Sequence, residues 1–204
     1  MIRIKEFSGK ESKLQFKKIS SIHKESINDG FLSSLNSSVL IELYKGFAKS
    51  YHSKLFVALN DEDDILGFIV LSFSTTKLYK DIIFKRFLII TPFLLLKIFS
   101  ISFLFRIFET LFYPYKDNLQ IDTNSELLNF CVSSNSRGQG VGSKLFLKVN
   151  ETLKEKKINS IKIVTGQNQT SAQKFYEKHE ALLFGTQEVH KGSVSLVYKY
   201  NTKY

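Results

Sequence analysis

Cysteine occurs once in this chain of 204 residues, at position 131. A single thiol excludes an internal disulfide framework and a cysteine-rich metal site. Cys131 stands in an apolar run, where a buried structural thiol is expected. Proline is nearly as scarce. Two prolines and ten glycines exclude a collagen-like or proline-rich design. The four histidines, His23, His52, His179 and His190, lack metal-ligand spacing, so no metal is expected. An apolar leader is also missing. Met1-Ile2-Arg3-Ile4-Lys5 alternates apolar and charged residues and has no signal-peptide core, which points to a reducing, cytoplasmic setting. Acidic residues are few: 19 against 29 lysines and arginines, a net charge of +10. That balance suits nucleotide phosphates, nucleic acid or an anionic membrane surface. What remains is ordinary for a globular chain, 43% apolar and 24% charged, with length enough for one sizeable core.

Apolar periodicity orders the chain. Residues 2–7 alternate as a first strand, with Ile2 and Ile4 on one face. Residues 11–25 read as a helix through Leu14, Ile19 and Ile22. Ser37 to Lys49 forms a second helix, with Val39, Leu40, Leu43, Tyr44 and Phe47 on one stripe. Two strands, 54–59 and 65–73, make a hairpin across Asn60-Asp61-Glu62-Asp63-Asp64. Further on, Glu126 to Ser133 is a strand, Gly140 to Lys156 a helix and Ile158 to Val164 a strand. A short helix over Ser171 to His179 and two closing strands, 181–189 and 193–200, complete the order. Strands mixed with helices, and joined partly by hairpins, predict an α/β fold. We expect one domain over 1–204, a mixed sheet of about seven strands flanked by helices, with a helical insertion at 77–116.

Between strand and helix lies Arg137-Gly138-Gln139-Gly140-Val141-Gly142. Glycines permit positive φ and close approach of a ligand to the backbone. The first turn of a helix leaves free N–H groups and a partial positive charge. Together they make a cradle for a pyrophosphate, and Arg137 adds a permanent charge. The spacing is not that of a P-loop, because Gly142-Ser143-Lys144 reverses the last two residues of that motif. Nor is it the dinucleotide pattern, since the third glycine comes one residue early.

The run Val132-x-x-x-x-Arg137-Gly138-x-Gly140-Val141-Gly142 resembles the acyl-CoA signature of the GNAT superfamily of N-acetyltransferases. Asn168 to Tyr176, reading Asn-Gln-Thr-Ser-Ala-Gln-Lys-Phe-Tyr, is similar to that family's asparagine-alanine-aromatic-tyrosine segment. The resemblance implies a GNAT-like fold and acetyl-CoA as cosubstrate. It implies that Gly138, Gln139, Gly140, Val141, Gly142 and Ser143 hold the pyrophosphate beside Arg137. Pantetheine would pair with the preceding strand through Phe130, Cys131 and Val132, and the Val132 N–H would polarise the thioester carbonyl. Asn168 and Tyr176 join the cofactor site from downstream. One position departs from the family. His179-Glu180-Ala181 replaces the usual glycine and aromatic, where a glycine would relax a left-handed helix cap.

Aminolysis of a thioester needs a deprotonated amine and a proton for the departing thiolate. Tyr176 matches the family's tyrosine near the sulfur and is the implied acid. Glu126 begins the strand that leads to the glycine turn. Even spacing places it on one face with Leu128, Phe130 and Val132, so it is the candidate base. An ordinary strand-end glutamate is the alternative, and Asp122 and His190 are weaker candidates.

Residues 77–116 differ in character. They hold seven lysines and arginines against two acids, and eight of the nineteen phenylalanines. Residues 87–105 carry one charge, Lys97, and have the length of a bilayer span. Lys97 and Pro92 argue against a span, and a single crossing would divide the sheet between two compartments. Two readings stand: helices at an anionic membrane surface, or a helical layer that covers the core or forms a homodimer. The first would place the protein at the inner face of the membrane. Acetyltransferases with a similar insertion accompany bacterial surface-polysaccharide genes, which implies an amino-sugar acceptor. The small-molecule amine itself carries no motif. A membrane-surface scaffold on a degenerate GNAT fold is the competing function. Nucleic acid is not expected, because the basic residues interleave with apolar ones rather than with an exposed stacking platform.

Overall fold

The computed structural model describes residues 1–27, 31–82, 121–190 and 193–204. Strand β1 (Arg3–Phe7) leads into helix α1 (Lys13–Ser26). Ser12 caps α1 in a reciprocal capping box with Gln15, which satisfies two backbone donors at its start. The helix buries Phe16, Ile19, Ile22 and His23. Leu14 points outward and is 74% exposed, contrary to the expected stripe. A 3-10 turn (Phe31–Ser34) precedes α2 (Ser37–Lys49), capped by Asn36 and buried through Val39, Leu40, Tyr44 and Phe47. Strands β2 (Ser53–Leu59) and β3 (Ile65–Ser72) form the expected hairpin. Its turn is held by the Asn60 side chain, which accepts from the backbone N–H groups of Glu62 and Asp64. Residues 75–82 are helical (α3). Then come β4 (Glu126–Val132), a 3-10 turn (Ser134–Ser136), α4 (Val141–Glu155), β5 (Ser160–Gly166), α5 (Thr170–Lys178), β6 (Leu182–His190) and β7 (Ser193–Asn201).

The seven strands form one mixed sheet in the order β1-β2-β3-β4-β5-β7-β6. Among the described residues, only β4 and β5 run parallel, joined through α4 as a crossover unit. Helices cover both faces. On one side α1, α2 and α3 bury Phe16, Ile19, Leu40, Tyr44, Phe68 and Leu78. On the other, α4 and α5 bury Leu145, Phe146, Val149, Ile161, Tyr176 and Tyr198. Each large apolar side chain so removed from water contributes about 1.5–3 kcal/mol.

The expected strand at 158–164 opens two residues later. Ile158 closes the end of α4 by donating to the Leu153 carbonyl at 2.9 Å, with Lys157 at φ 56°. Within the 77–116 insertion, Leu78 and Ile82 are buried against the α1/α2 side of the core. This part follows the core-covering reading. Residues 83–116 lie outside the described residues. Among the described residues, no helix is long and apolar enough to cross a membrane.

Candidate functional site

Strand β4 pairs with β3 over its length, but with β5 only at Glu126↔Lys162 and Leu127↔Ile163. Beyond Leu127 the two parallel strands diverge and leave one edge of β4 unpaired. The β3–β4 register slips at the same point: Leu71 opposes Leu127 and Val70 opposes Asn129, so Leu128 is a bulge.

Two consequences follow. The first concerns which peptide groups face the open edge. The Ser133 N–H donates to the Leu66 carbonyl at 2.9 Å. In an antiparallel ladder, alternate residues bond to the same neighbour, so Ser133 and Cys131 are turned to β3. The N–H and C=O groups of Phe130 and Val132 therefore face the divergence. Cys131 was expected to share this role, but its peptide groups are occupied by β3.

The second consequence is a change of face. An unbroken alternation would place Glu126, Leu128, Phe130 and Val132 together. The bulge breaks it. Leu127, Phe130 and Val132 lie on the α4/α5 side, whereas Leu128 and Cys131 lie on the α1/α2 side. Glu126 is buried on the latter side. It accepts from Thr75 Oγ1 at 3.3 Å and pairs with Lys162 Nζ at 3.8 Å. It stands at the closed end of the divergence, roughly 13 Å along the strand from Phe130. Sequence reading missed Thr75 and Lys162. The available signal was a lysine between two isoleucines on an alternating strand.

At the open end, Gly138 and Gly140 take φ of +75° and +79°, and a Cβ on either would meet nothing within 4 Å. Gly140 is the N-cap of α4 and supplies no side-chain cap. The N–H groups of Val141, Gly142 and Ser143 thus open a helix without an intrahelical or side-chain acceptor. Gly142 has a packing reason as well: a Cβ there would stand 3.2 Å from the Phe130 ring and 3.3 Å from that of Phe175. Arg137 is exposed, and its Nε donates to the Val132 carbonyl at 3.3 Å. Gln139 turns back to the Asn135 carbonyl at 2.8 Å. Ser143 Oγ lies 3.4 Å from His179 Nε2. Asn168 is exposed in the turn after β5. It lies at the carboxyl end of the second parallel strand, where open α/β sheets bind ligands.

Tyr176 is buried on α5, its ring 6.3 Å from that of Phe130 and 6.1 Å from that of Tyr198. Burial, and secondarily the nearby Cys131, push its hydroxyl well above the ordinary tyrosine range. Burial pushes the Cys131 thiol up to about 12, so it is a neutral thiol at physiological pH. The departure at 179–181 does not disturb the helix end. Glu180 itself adopts the left-handed conformation, φ 65°. The Ala181 N–H bonds to the Tyr176 carbonyl at 3.0 Å and the Glu180 N–H to the Glu177 carbonyl at 2.9 Å, a Schellman cap. The turn that carries Tyr176 is thereby fixed at its carbonyl.

Across the sheet, His23 and Tyr44 form a buried pair, Nδ1 to hydroxyl 2.6 Å. They lie 21 residues apart, with no spacing motif to announce them.

The parallel pair thus opens into a slot with inward amides and the uncapped start of α4 at its mouth. Residues 112–180 match the acetyltransferase (GNAT) domain family model. An acetyltransferase of the GNAT family from Staphylococcus aureus Mu50 superposes with a TM-score of 0.60 at 19% identity, covering 100% of both chains. An N-acetyltransferase from the same organism gives 0.62 at 14% identity, covering 100% of this chain and 99% of that one. A Bacillus anthracis protein assigned as a streptothricin acetyltransferase, solved in complex with acetyl coenzyme A, gives 0.50 at 19%, covering 78% and 68%. No curated protein matches the chain in sequence. The matched segment, residues 112–180, is similar to the GNAT acetyltransferase domain, and the fold is the one these GNAT acetyltransferases share.

Proposed function

We propose that this chain is a single-domain, acetyl-CoA-dependent N-acetyltransferase acting on a small-molecule amine. The observation that carries this reading is the divergence of β4 from β5, with the Phe130 and Val132 amides facing it beside the uncapped start of α4. Acetyl-CoA would supply the activated acyl carbonyl as its thioester. Val141, Gly142 and Ser143 offer backbone donors to its pyrophosphate, with Arg137 beside them. Phe130 and Val132 pair with the pantetheine as a strand would, and Asn168 borders the slot from the β5 side.

In the transfer, the amine nitrogen bonds to the carbonyl carbon and the carbon–sulfur bond breaks. The Val132 N–H donates to the oxygen as negative charge builds there. Tyr176 gives its proton to the departing sulfur, a role suited to a hydroxyl that burial keeps protonated. Glu126 accepts the amine proton through water, since the bulge places its carboxylate on the far side of the sheet from Phe130.

The test is calorimetry with CoA, followed by thiol release from acetyl-CoA with an amine panel that includes glucosamine, as the polysaccharide resemblance suggests. Saturable binding and amine-dependent release are expected. An absence of CoA binding at millimolar ligand defeats the reading. The local charge bias of 77–116 supports attachment to an anionic membrane. Sedimentation with phosphatidylserine vesicles tests it, and light scattering tests the homodimer alternative.

A further inference from the structure

Val132 is held from three sides, and two of the residues that hold it, Gly67 and Ser26, have no part in binding the acyl donor in the reading above. Gly67 of β3 lies directly opposite it in the ladder. A Cβ on Gly67 would stand 2.7 Å from the Cys131 carbonyl oxygen, 3.1 Å from Val132 Cα and 3.3 Å from Val132 Cγ2. Two of these are backbone atoms, so no side-chain rotation relieves the overlap. On α1, Ser26 Oγ donates to the Val132 carbonyl at 3.4 Å, and Arg137 Nε donates to the same oxygen at 3.3 Å. The peptide planes on both sides of Val132 Cα are therefore registered by β3, by the last turn of α1 and by the glycine turn.

The surroundings decide which strand yields to a larger residue at 67. Strand β3 is paired with β2 from Ser72 through Gly67, slips at Leu66 and pairs again at Ile65, and its Phe68, Ile69, Val70 and Leu71 are fully buried. At Gly67 it is paired on both edges, with β2 and with β4. Strand β4 at residues 130–132 has β3 on one edge and the divergence on the other. A Cβ on Gly67 therefore pushes Val132 into the slot and shifts its N–H.

We propose that Gly67 and Ser26 are positioning residues for the thioester. They set the Val132 N–H by allowing the closest approach of β3 and by fixing the adjoining carbonyl. The proposal rests on the acetyl-CoA reading. It adds that the accuracy of the oxyanion donor is decided on β3 and α1, outside the segment that carries the acyl-CoA motif. A misplacement of well under 1 Å suffices, since 1 Å at a reacting centre costs up to about 100-fold.

The experiment is difference infrared spectroscopy of acetyl-CoA labelled with carbon-13 at the thioester carbonyl, bound to wild type, Gly67→Ala and Ser26→Ala. In wild type the carbonyl stretch should move to lower wavenumber on binding. In Gly67→Ala the shift should be roughly halved or lost, while calorimetric CoA affinity stays within about threefold, because the phosphate cradle is untouched. Ser26→Ala should lose less of the shift in the same direction. It keeps the test open if the glycine variant does not fold, because Ser26 fills no core position. Wild-type shifts in the variants that fold overturn the proposal and leave the acetyl-CoA reading standing. A wild-type protein that binds acetyl-CoA with no shift overturns the positioning role alone. One that does not bind it overturns both.

Discussion

Tyr176 on α5 and Glu180, just past its C-cap, contrast a residue proposed for chemistry with one that bears strain. Tyr176 is buried and its hydroxyl is pushed well above the usual range, chiefly by desolvation. A tyrosine so placed keeps its proton through mildly alkaline pH, so the acid role proposed for it should not fade between neutral pH and about 10, its ordinary value. Tyr176→Phe is expected to lower kcat by about 10²-fold with CoA affinity retained. An alkaline limb that midpoints below 10 in wild type and vanishes in this variant would contradict the assignment. Glu180 presents the opposite case. It bears φ 65° at the helix cap where the family has glycine. Lys203 holds its carboxylate at 2.7 Å, but both partners are well exposed and the pair adds little. Glu180→Gly should therefore stabilise the fold by about 1 kcal/mol, read as a rise in Tm of roughly 2–4 °C. An unchanged or lower Tm would show that the pair outweighs the strain.

At the scale of elements, the site is a meeting of β4 and α4. Gly142 lets α4 begin directly beneath the Phe130 and Phe175 rings. Gly142→Leu forces those rings apart and moves the helix start, so CoA affinity should fall at least about tenfold by calorimetry. Gly140→Val meets no neighbour but asks a β-branched residue to adopt φ 79°, and a loss of similar size is expected through strain alone. Equal affinity in both variants and wild type would remove the glycine turn from the donor site. Most elements were legible in advance, because α2, β2, β3 and α4 carry strong periodicity and their ends lie within a residue or two of expectation. The face of Glu126 was not. Strand alternation is read residue by residue, and one bulge at Leu128 reverses it.

For the whole molecule, burial of His23 couples stability to pH. Its ring is 1% exposed, bonded to Tyr44, and desolvation, with Lys24 adding repulsion, pushes it down to about 4. The unfolded value is 6.5, so between 6.5 and 4 the unfolded chain binds the proton that the folded chain refuses. Stability is thus lost as pH falls through that window, by up to about 3 kcal/mol. Urea unfolding at several pH values should show this slope in wild type and a shallower one in His23→Phe. Parallel slopes would mean that His23 titrates normally in the folded state.

The elements, the glycine turn and the family resemblance can be read from the chain alone. Those depend on local φ preferences and on apolar spacing, which are written along the chain. The fold was needed to show that β4 parts from β5 after Leu127, that Phe130 and Val132 rather than Cys131 face the opening, and that Glu126 lies across the sheet beside Thr75 and Lys162. Gly67 and Ser26 likewise reach Val132 from 65 and 106 positions away along the chain. Register, bulges and strand divergence arise from how separate segments pack against one another, and no single segment encodes them.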